Sequence, residues 1–200
     1  MRVGLLSLSD ANITRVLKRP ALAWQLITPK AAAAESPQQE SAKPAGRGKK
    51  KVATRRTKAK AVPELKLAVN EGMRCDLDKS WHGIHYLLTG SAWESSPPLD
   101  FLVDGGRQVG RIDSEHGPLR AFRAKEVQPI YESLSSIGPY ELRKRFNARD
   151  MTAKEIYPDI WTRAANEEDS LRYLMDNLDR LRAFLHETLE AGLGILVFLI

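Results

Sequence analysis

The chain has 200 residues, 42% of them hydrophobic, so it is long and apolar enough for one domain with a core of ordinary size. Its formal charge of +6 is unevenly placed, because residues 41–62 hold nine of the 31 basic residues and no acid, which leaves 22 basic against 25 acidic residues elsewhere. The single cysteine, Cys75, excludes an intrachain disulfide, and the longest late apolar run, residues 195–200, is too short to span a bilayer. These features predict a cytoplasmic protein with no membrane partner.

The first predicted element is a short apolar strand over residues 3–8. A helix is expected after Ser9, because serine is a favoured N-cap residue, and Pro20 is a typical start for a second helix. Alternating apolar residues predict a further strand over residues 64–69.

Residues 30–63 have a different composition, with Val52 as the only large apolar side chain between Pro29 and Val62. Such a segment buries too little apolar surface to offset the entropy of ordering it. We therefore expect a disordered basic insert that interrupts the domain and separates residues 1–29 from residues 64–200.

The basic residues of this insert predict non-specific contact with nucleic acid or another polyanion through residues 43–60. No aromatic residue is interleaved with them, so stacking on bases is not expected. The alternative is a solvated linker. The candidate nucleic-acid-binding residues are Arg47, Lys49, Lys50, Lys51, Arg55, Arg56, Lys58 and Lys60.

Residues 76–90 predict a helix with two faces, from about Asp78 to Leu88 and ending at Gly90. An apolar stripe with Trp81 lies beside a polar stripe that contains Asp78, His82 and His85 at helical spacing. Two imidazoles one turn apart can share a metal ion, and a carboxylate that holds one imidazole can make it a general base. The alternative is that these side chains solvate the helix or form buried hydrogen bonds.

The rest of the chain alternates short strands, turns and helices. Strands are expected over residues 109–112 and 119–122, with a tight turn at Gly105-Gly106. Helices are expected over residues 125–134, 139–146, 150–155 and 166–191, and residues 195–200 end the pattern as a buried strand. The order predicts an α+β fold: a single compact domain with several helices, a small mixed sheet and a C-terminal buried strand.

The block Asp76-Leu-Asp-Lys-Ser-Trp-His-Gly-Ile-His-Tyr-Leu-Leu-Thr-Gly90 resembles the signature of the YfbM-like family of small, mostly bacterial domains. Four other stretches agree with it in order and spacing. They are Gly105-Gly106, Gly117-Pro-Leu-Arg120, Ile156-Tyr-Pro-Asp-Ile-Trp161 and Gly192-Leu-Gly-Ile-Leu-Val197. The resemblance covers roughly residues 1–30 and 65–200, and the basic tract of residues 31–63 departs from it. It implies a compact α+β domain and no particular reaction.

A second set of candidate site residues lies outside the signature helix. Tyr157, Asp159 and Trp161 form a Tyr-Pro turn with an acid and an indole, which could line a ligand pocket or anchor a loop to the core. Asp159 is a further catalytic candidate. Trp81 could contact a ligand, although a core position is the simpler interpretation, and Arg120 could bring a guanidinium to an anion.

Three functions remain open from the sequence. The first is a non-enzymatic binding or interaction protein, with an unidentified protein partner as one possibility. The second is a protein that associates with nucleic acid through the basic insert. The third is a metal-dependent or acid/base enzyme that uses Asp78, His82 and His85. No further metal ligand is identifiable beside the two histidines, although His116, Asp113 and Asp159 are possible, so no metal site is assigned. No cofactor is indicated by any motif.

Overall fold

A computed structural model describes residues 1–27, 65–110, 117–162 and 167–199. The predicted insert, residues 30–63, lies outside the described residues, and so do the nucleic-acid candidates within it. The described chain forms an α+β domain with one sheet between two layers of helices. None of the helices in these ranges has the length and hydrophobicity that a membrane span requires.

The elements follow one another as β1 (Val3–Leu8), α1 (Asp10–Lys18), α2 (Ala21–Ile27), β2 (Arg74–Asp76), α3 (Trp81–Thr89), β3 (Arg107–Gln108), β4 (Arg120–Phe122), α4 (Ala124–Ser136), α5 (Pro139–Arg145), α6 (Ala148–Ala153), α7 (Glu167–Glu190) and β5 (Gly194–Leu199). The strands are ordered β2-β1-β5-β4-β3 across the sheet.

Every pairing between the described strands is antiparallel, so the predicted mixed sheet is wrong in this respect. The two long strands, β1 and β5, pair along their whole length, from Val3 opposite Leu199 to Leu8 opposite Gly194. Hydrophobic periodicity locates a strand but does not set the direction in which it pairs. Here the direction follows from pairing between strands that are distant in the chain.

Strand β1 is buried on both faces because helices cover both sides of the sheet. Val3 and Leu5 belong to the larger core cluster, which includes residues of α3, α4 and α7. Leu6 and Leu8 point the other way, into a smaller cluster with α1 and α2. This arrangement places α3, the helix of the signature block, inside the larger core.

Most of the predicted helices are confirmed, and Ser9 caps α1 by accepting a hydrogen bond from the Asn12 amide at 3.3 Å. The prediction of a strand over residues 64–69 is wrong for the described residues 65–69, which form none. Leu67 and Val69 are exposed, and the strand lies instead at β2, where it pairs with β1. Alternation alone did not distinguish an exposed extended segment from a sheet strand.

Candidate functional site

Asp78 lies outside the signature helix. Its backbone adopts a left-handed conformation with φ of 47°, and α3 begins three residues later at Trp81. The carboxylate accepts a hydrogen bond from the Tyr173 hydroxyl at 3.0 Å and forms an ion pair with Arg2 at 3.1 Å. Burial, and then the nearby Asp78 carboxylate, raise the pKa of Tyr173 to about 12. The expected stripe of Asp78 with the two histidines is therefore not assembled, because Asp78 interacts with α7 and the N-terminal strand.

His82 is fully buried and uses both ring nitrogens to hold backbone groups. Its Nδ1 accepts from the Tyr157 amide at 2.9 Å, so Nε2 carries the proton and donates to the Ala92 carbonyl at 2.7 Å. The ring also stacks on Trp81 with 4.9 Å between centroids. Burial lowers the pKa of His82, and the Ala92 bond opposes this effect. His82 thus joins two loops to α3 as a neutral imidazole.

His85 is also fully buried, but neither of its ring nitrogens has a hydrogen-bond partner within the described parts of the chain. Burial, and then the neighbouring His82, lower its pKa to about 4. The imidazole is therefore neutral at pH 7. Its side chain is not exposed to solvent. Among the described residues, no three His, Cys, Asp or Glu side chains come together in a way that could hold a metal ion.

The Tyr-Pro corner is anchored to the core by its indole. Trp161 is fully buried, and its Nε1 donates to the Ile156 carbonyl at 2.6 Å. Tyr157 is half-buried, with its hydroxyl 3.3 Å from the amino group of Met1, and Asp159 is exposed. Trp81 is buried as well. Trp93, by contrast, is exposed, and the centroid of its ring lies 4.3 Å from that of His82.

Arg120 points into the protein and is only 4% exposed. Its guanidinium donates to the carbonyls of Phe101 and Leu102 at 2.8 Å each, and also to the carbonyl of Asp104. Burial lowers the pKa of Arg120 and the nearby Asp104 and Asp100 oppose this effect, so that the pKa is about 10. Arg120 therefore fixes the turns of residues 99–104 and is not placed to receive an anion from solvent.

A cleft of about 430 Å³ lies beside the turns that Arg120 holds. Most of its lining is apolar, with the charged side chains of Asp100, Lys125 and Glu126 among it. The apolar lining residues are Pro97, Pro98, Phe122, Pro129 and Ile130. We call it the Gly-Gly cleft, because Gly105 and Gly106 form one wall.

The two glycines shape this cleft. Both have positive φ, 74° at Gly105 and 69° at Gly106, a conformation that other residues adopt only with strain. A Cβ on Gly105 would lie 3.0 Å from the Asp100 carboxylate, and one on Gly106 would lie 2.8 Å from the Phe122 ring. The turn can therefore approach both side chains closely only because it carries no side chains itself.

Asp100 is the residue that the sequence analysis missed. It is only 8% exposed, and burial raises its pKa, while a hydrogen bond from its own backbone amide opposes this effect. The nearby Asp104 raises the pKa further, and Arg120 lowers it. In the sequence it is a lone acid in the run Pro97-Pro-Leu-Asp-Phe-Leu-Val103. An acid within an apolar run of this kind indicates a buried carboxylate.

Comparison with known proteins agrees with these motifs. The sequence model of a domain of unknown function, DUF1877, matches residues 1–198. The chain is 29% identical to protein YfbM of Escherichia coli (strain K12) over 122 residues, which is 60% of this chain and 72% of that protein. The crystal structure of a protein of unknown function YfbM from Escherichia coli has the same fold, with a TM-score of 0.62, 18% identity and 98% of both chains covered.

Proposed function

The chain belongs to the DUF1877 family, which confirms its resemblance to the YfbM-like proteins, and from that premise we propose that it is a non-enzymatic binding protein whose site is the Gly-Gly cleft. The family has no assigned function, so the proposal depends on the geometry of this chain. The ligand is a small organic molecule or one side chain of a partner protein.

The observation that carries the proposal is the convergence of two family stretches on one apolar cleft that contains a buried acid. Gly105-Gly106 form its wall, and Arg120 of the stretch Gly117-Pro-Leu-Arg120 braces the adjoining turns. A volume of about 430 Å³ lies in the usual range of small-ligand sites. Apolar walls with a few polar groups, one of them a carboxylate of raised pKa, are typical of such sites.

The bonds of the signature helix support a binding role over a catalytic one. His82 uses one nitrogen as an acceptor from Tyr157 and the other as a donor to Ala92. A general base must reach the proton that it removes, and His82 would have to break one of these bonds to do so. The alternative enzyme therefore requires a rearrangement of α3 and its loops.

The proposal is tested by a fragment screen that uses the amide signals of Gly105 and Gly106 as NMR reporters. The variant Pro129→Trp places an indole at the cleft wall, and Gln128→Trp places the same side chain at the neighbouring position, which does not line the cleft. We expect fragments that shift both glycine amides in the wild type and in Gln128→Trp but not in Pro129→Trp. A screen with no such fragment, or with fragments indifferent to Pro129→Trp, contradicts the proposal.

A second proposed function is non-specific binding of nucleic acid through residues 43–60. It is supported by the nine basic residues and the absence of acids within residues 41–62.

We also propose that the protein is cytoplasmic. The lone Cys75 fits a reducing compartment, and burial, with Asp76 beside it, raises the pKa of this thiol to about 11, which disfavours a reactive thiolate.

A further inference from the structure

The charged side chains that line the Gly-Gly cleft differ in how deeply they are buried. Asp100 and Glu126 both line it, and the one basic side chain of the lining, Lys125, is exposed. Glu126 already accepts the Arg123 amide at 2.7 Å through Oε2, as part of the start of α4. Asp100 is therefore the charged group that lies deepest among the apolar walls.

The hydrogen bonds recorded for the Arg120 guanidinium all go to backbone carbonyls, although its charge acts on Asp100. NH1 donates to the carbonyls of Phe101 and Asp104, and NH2 donates to that of Leu102. Arg120 thus lowers the electrostatic cost of an Asp100 carboxylate without filling the cleft. A carboxylate with little access to water gains most from a cationic donor that replaces its lost hydration.

From these observations we infer that the Gly-Gly cleft takes an alkylammonium group, a protonated primary amine on a short apolar chain, with the ammonium against the Asp100 carboxylate. The inference rests on the proposed function and names its ligand class. The chain of the ligand packs on Phe122, Ile130 and the prolines, and the ammonium supplies the donors. Either a free alkylamine or the side chain of a lysine in a partner protein has this chemistry.

The test compares three probes of similar length with different charge: pentylamine, 1-pentanol and hexanoate. Each is titrated into the full chain while the Gly105 and Gly106 amides are followed by NMR. We expect pentylamine to bind most tightly, and Asp100→Asn to weaken it on the order of tenfold or more while the alcohol is little affected. Glu132→Gln removes an exposed acid of α4 that bonds to Gln128 outside the cleft, and it should bind pentylamine as the wild type does.

The outcomes separate this inference from the proposed function. If 1-pentanol or hexanoate binds at the glycine amides as tightly as pentylamine, or if Asp100→Asn leaves pentylamine binding unchanged, the ligand class is wrong and the cleft remains a binding site. If neither the probes nor any fragment of the screen shifts these amides, the proposed function itself fails. A thermal unfolding curve of Asp100→Asn verifies that the variant is folded.

A fourth probe distinguishes the two sources of the ammonium. N-acetyl-lysine methylamide carries the same group on a peptide backbone. If it binds more tightly than pentylamine, the ligand is a lysine of a partner protein. If it binds more weakly, the ligand is a free amine.

Discussion

Replacing His85 by leucine should make the protein less sensitive to acid. The imidazole is fully buried and has no hydrogen-bond partner within the described chain, so its charged form is strongly disfavoured in the folded state. Its pKa is lowered from 6.5 to about 4. The unfolded chain therefore binds a proton at His85 between these pH values and the folded protein does not, so stability is lost as the pH falls from about 6.5 towards 4.

The size of this loss follows from the two pKa values. Each pH unit between them corresponds to about 1.4 kcal/mol, so His85 alone should remove about 2.5 kcal/mol of the free energy of unfolding between pH 7.5 and pH 4.5. At pH 7.5, His85→Leu should be at least as stable as the wild type. The leucine has a similar volume and removes two buried nitrogens without partners.

The assay is urea unfolding followed by tryptophan fluorescence at several pH values from 7.5 to 4.5. Carboxylates and His82 titrate in both proteins, so the difference between variant and wild type isolates His85. His186→Gln, which changes an exposed histidine of α7, is the matched control and should follow the wild type. If the difference between His85→Leu and the wild type stays constant with pH to within about 0.5 kcal/mol, His85 is not a neutral, buried imidazole and the reasoning is refuted.

Three further predictions concern the cleft and the insert. Arg120→Gln should lower the free energy of unfolding by about 3 kcal/mol, because the buried carbonyls of Phe101 and Leu102 lose charged donors. A loss below about 1 kcal/mol in urea unfolding would contradict the role of Arg120 in holding the turns of residues 99–104. Gly106→Ala should destabilise more than Gly90→Ala in the same measurement. Both glycines have positive φ, but a Cβ at Gly106 would lie 2.8 Å from the Phe122 ring, whereas a Cβ at Gly90 would meet no atom within 4 Å. Equal losses in the free energy of unfolding would show that the contact with Phe122 is unimportant. Deletion of residues 31–63 should abolish salt-sensitive binding of a DNA duplex and leave thermal unfolding unchanged, and duplex binding that survives the deletion would exclude the insert as its cause.

Elements with a strong local pattern could be predicted from the sequence. The leucine spacing of α7 and the apolar runs of β1 and β5 located these elements within a residue or two. Local patterns were sufficient there because α7 keeps one helical period over its length and the two strands are short, continuous apolar runs. The direction and order of the strands could not be derived in this way, because they depend on pairing between β1 and β5 across nearly the whole chain.

The environment of the signature helix shows the limit of a periodicity argument. The polar side of α3 left a reactive site, a solvated face and buried hydrogen bonds open, and periodicity could not choose among them; His82 and His85 are both buried. The groups that bond to His82 come from other parts of the chain. The Ala92 carbonyl belongs to the loop after α3, and the Tyr157 amide belongs to the corner after α6. For Asp100, the apolar run around it indicates burial, but the close approach of Gly105 to its carboxylate depends on how the following turn folds and has no local signal.

The position of β5 in the sheet has a consequence for the synthesis of the protein. This strand follows all other described elements in the chain, yet it lies between β1 and β4 and joins the two halves of the sheet. Until β5 has left the ribosome, the apolar strand β1 lacks the neighbour with which it pairs along its full length. The sheet therefore assembles after translation of the domain, through contacts of very high sequence separation that slow folding. During elongation, β2 is available to pair with β1, but the edge of β1 that faces β5 is unpaired.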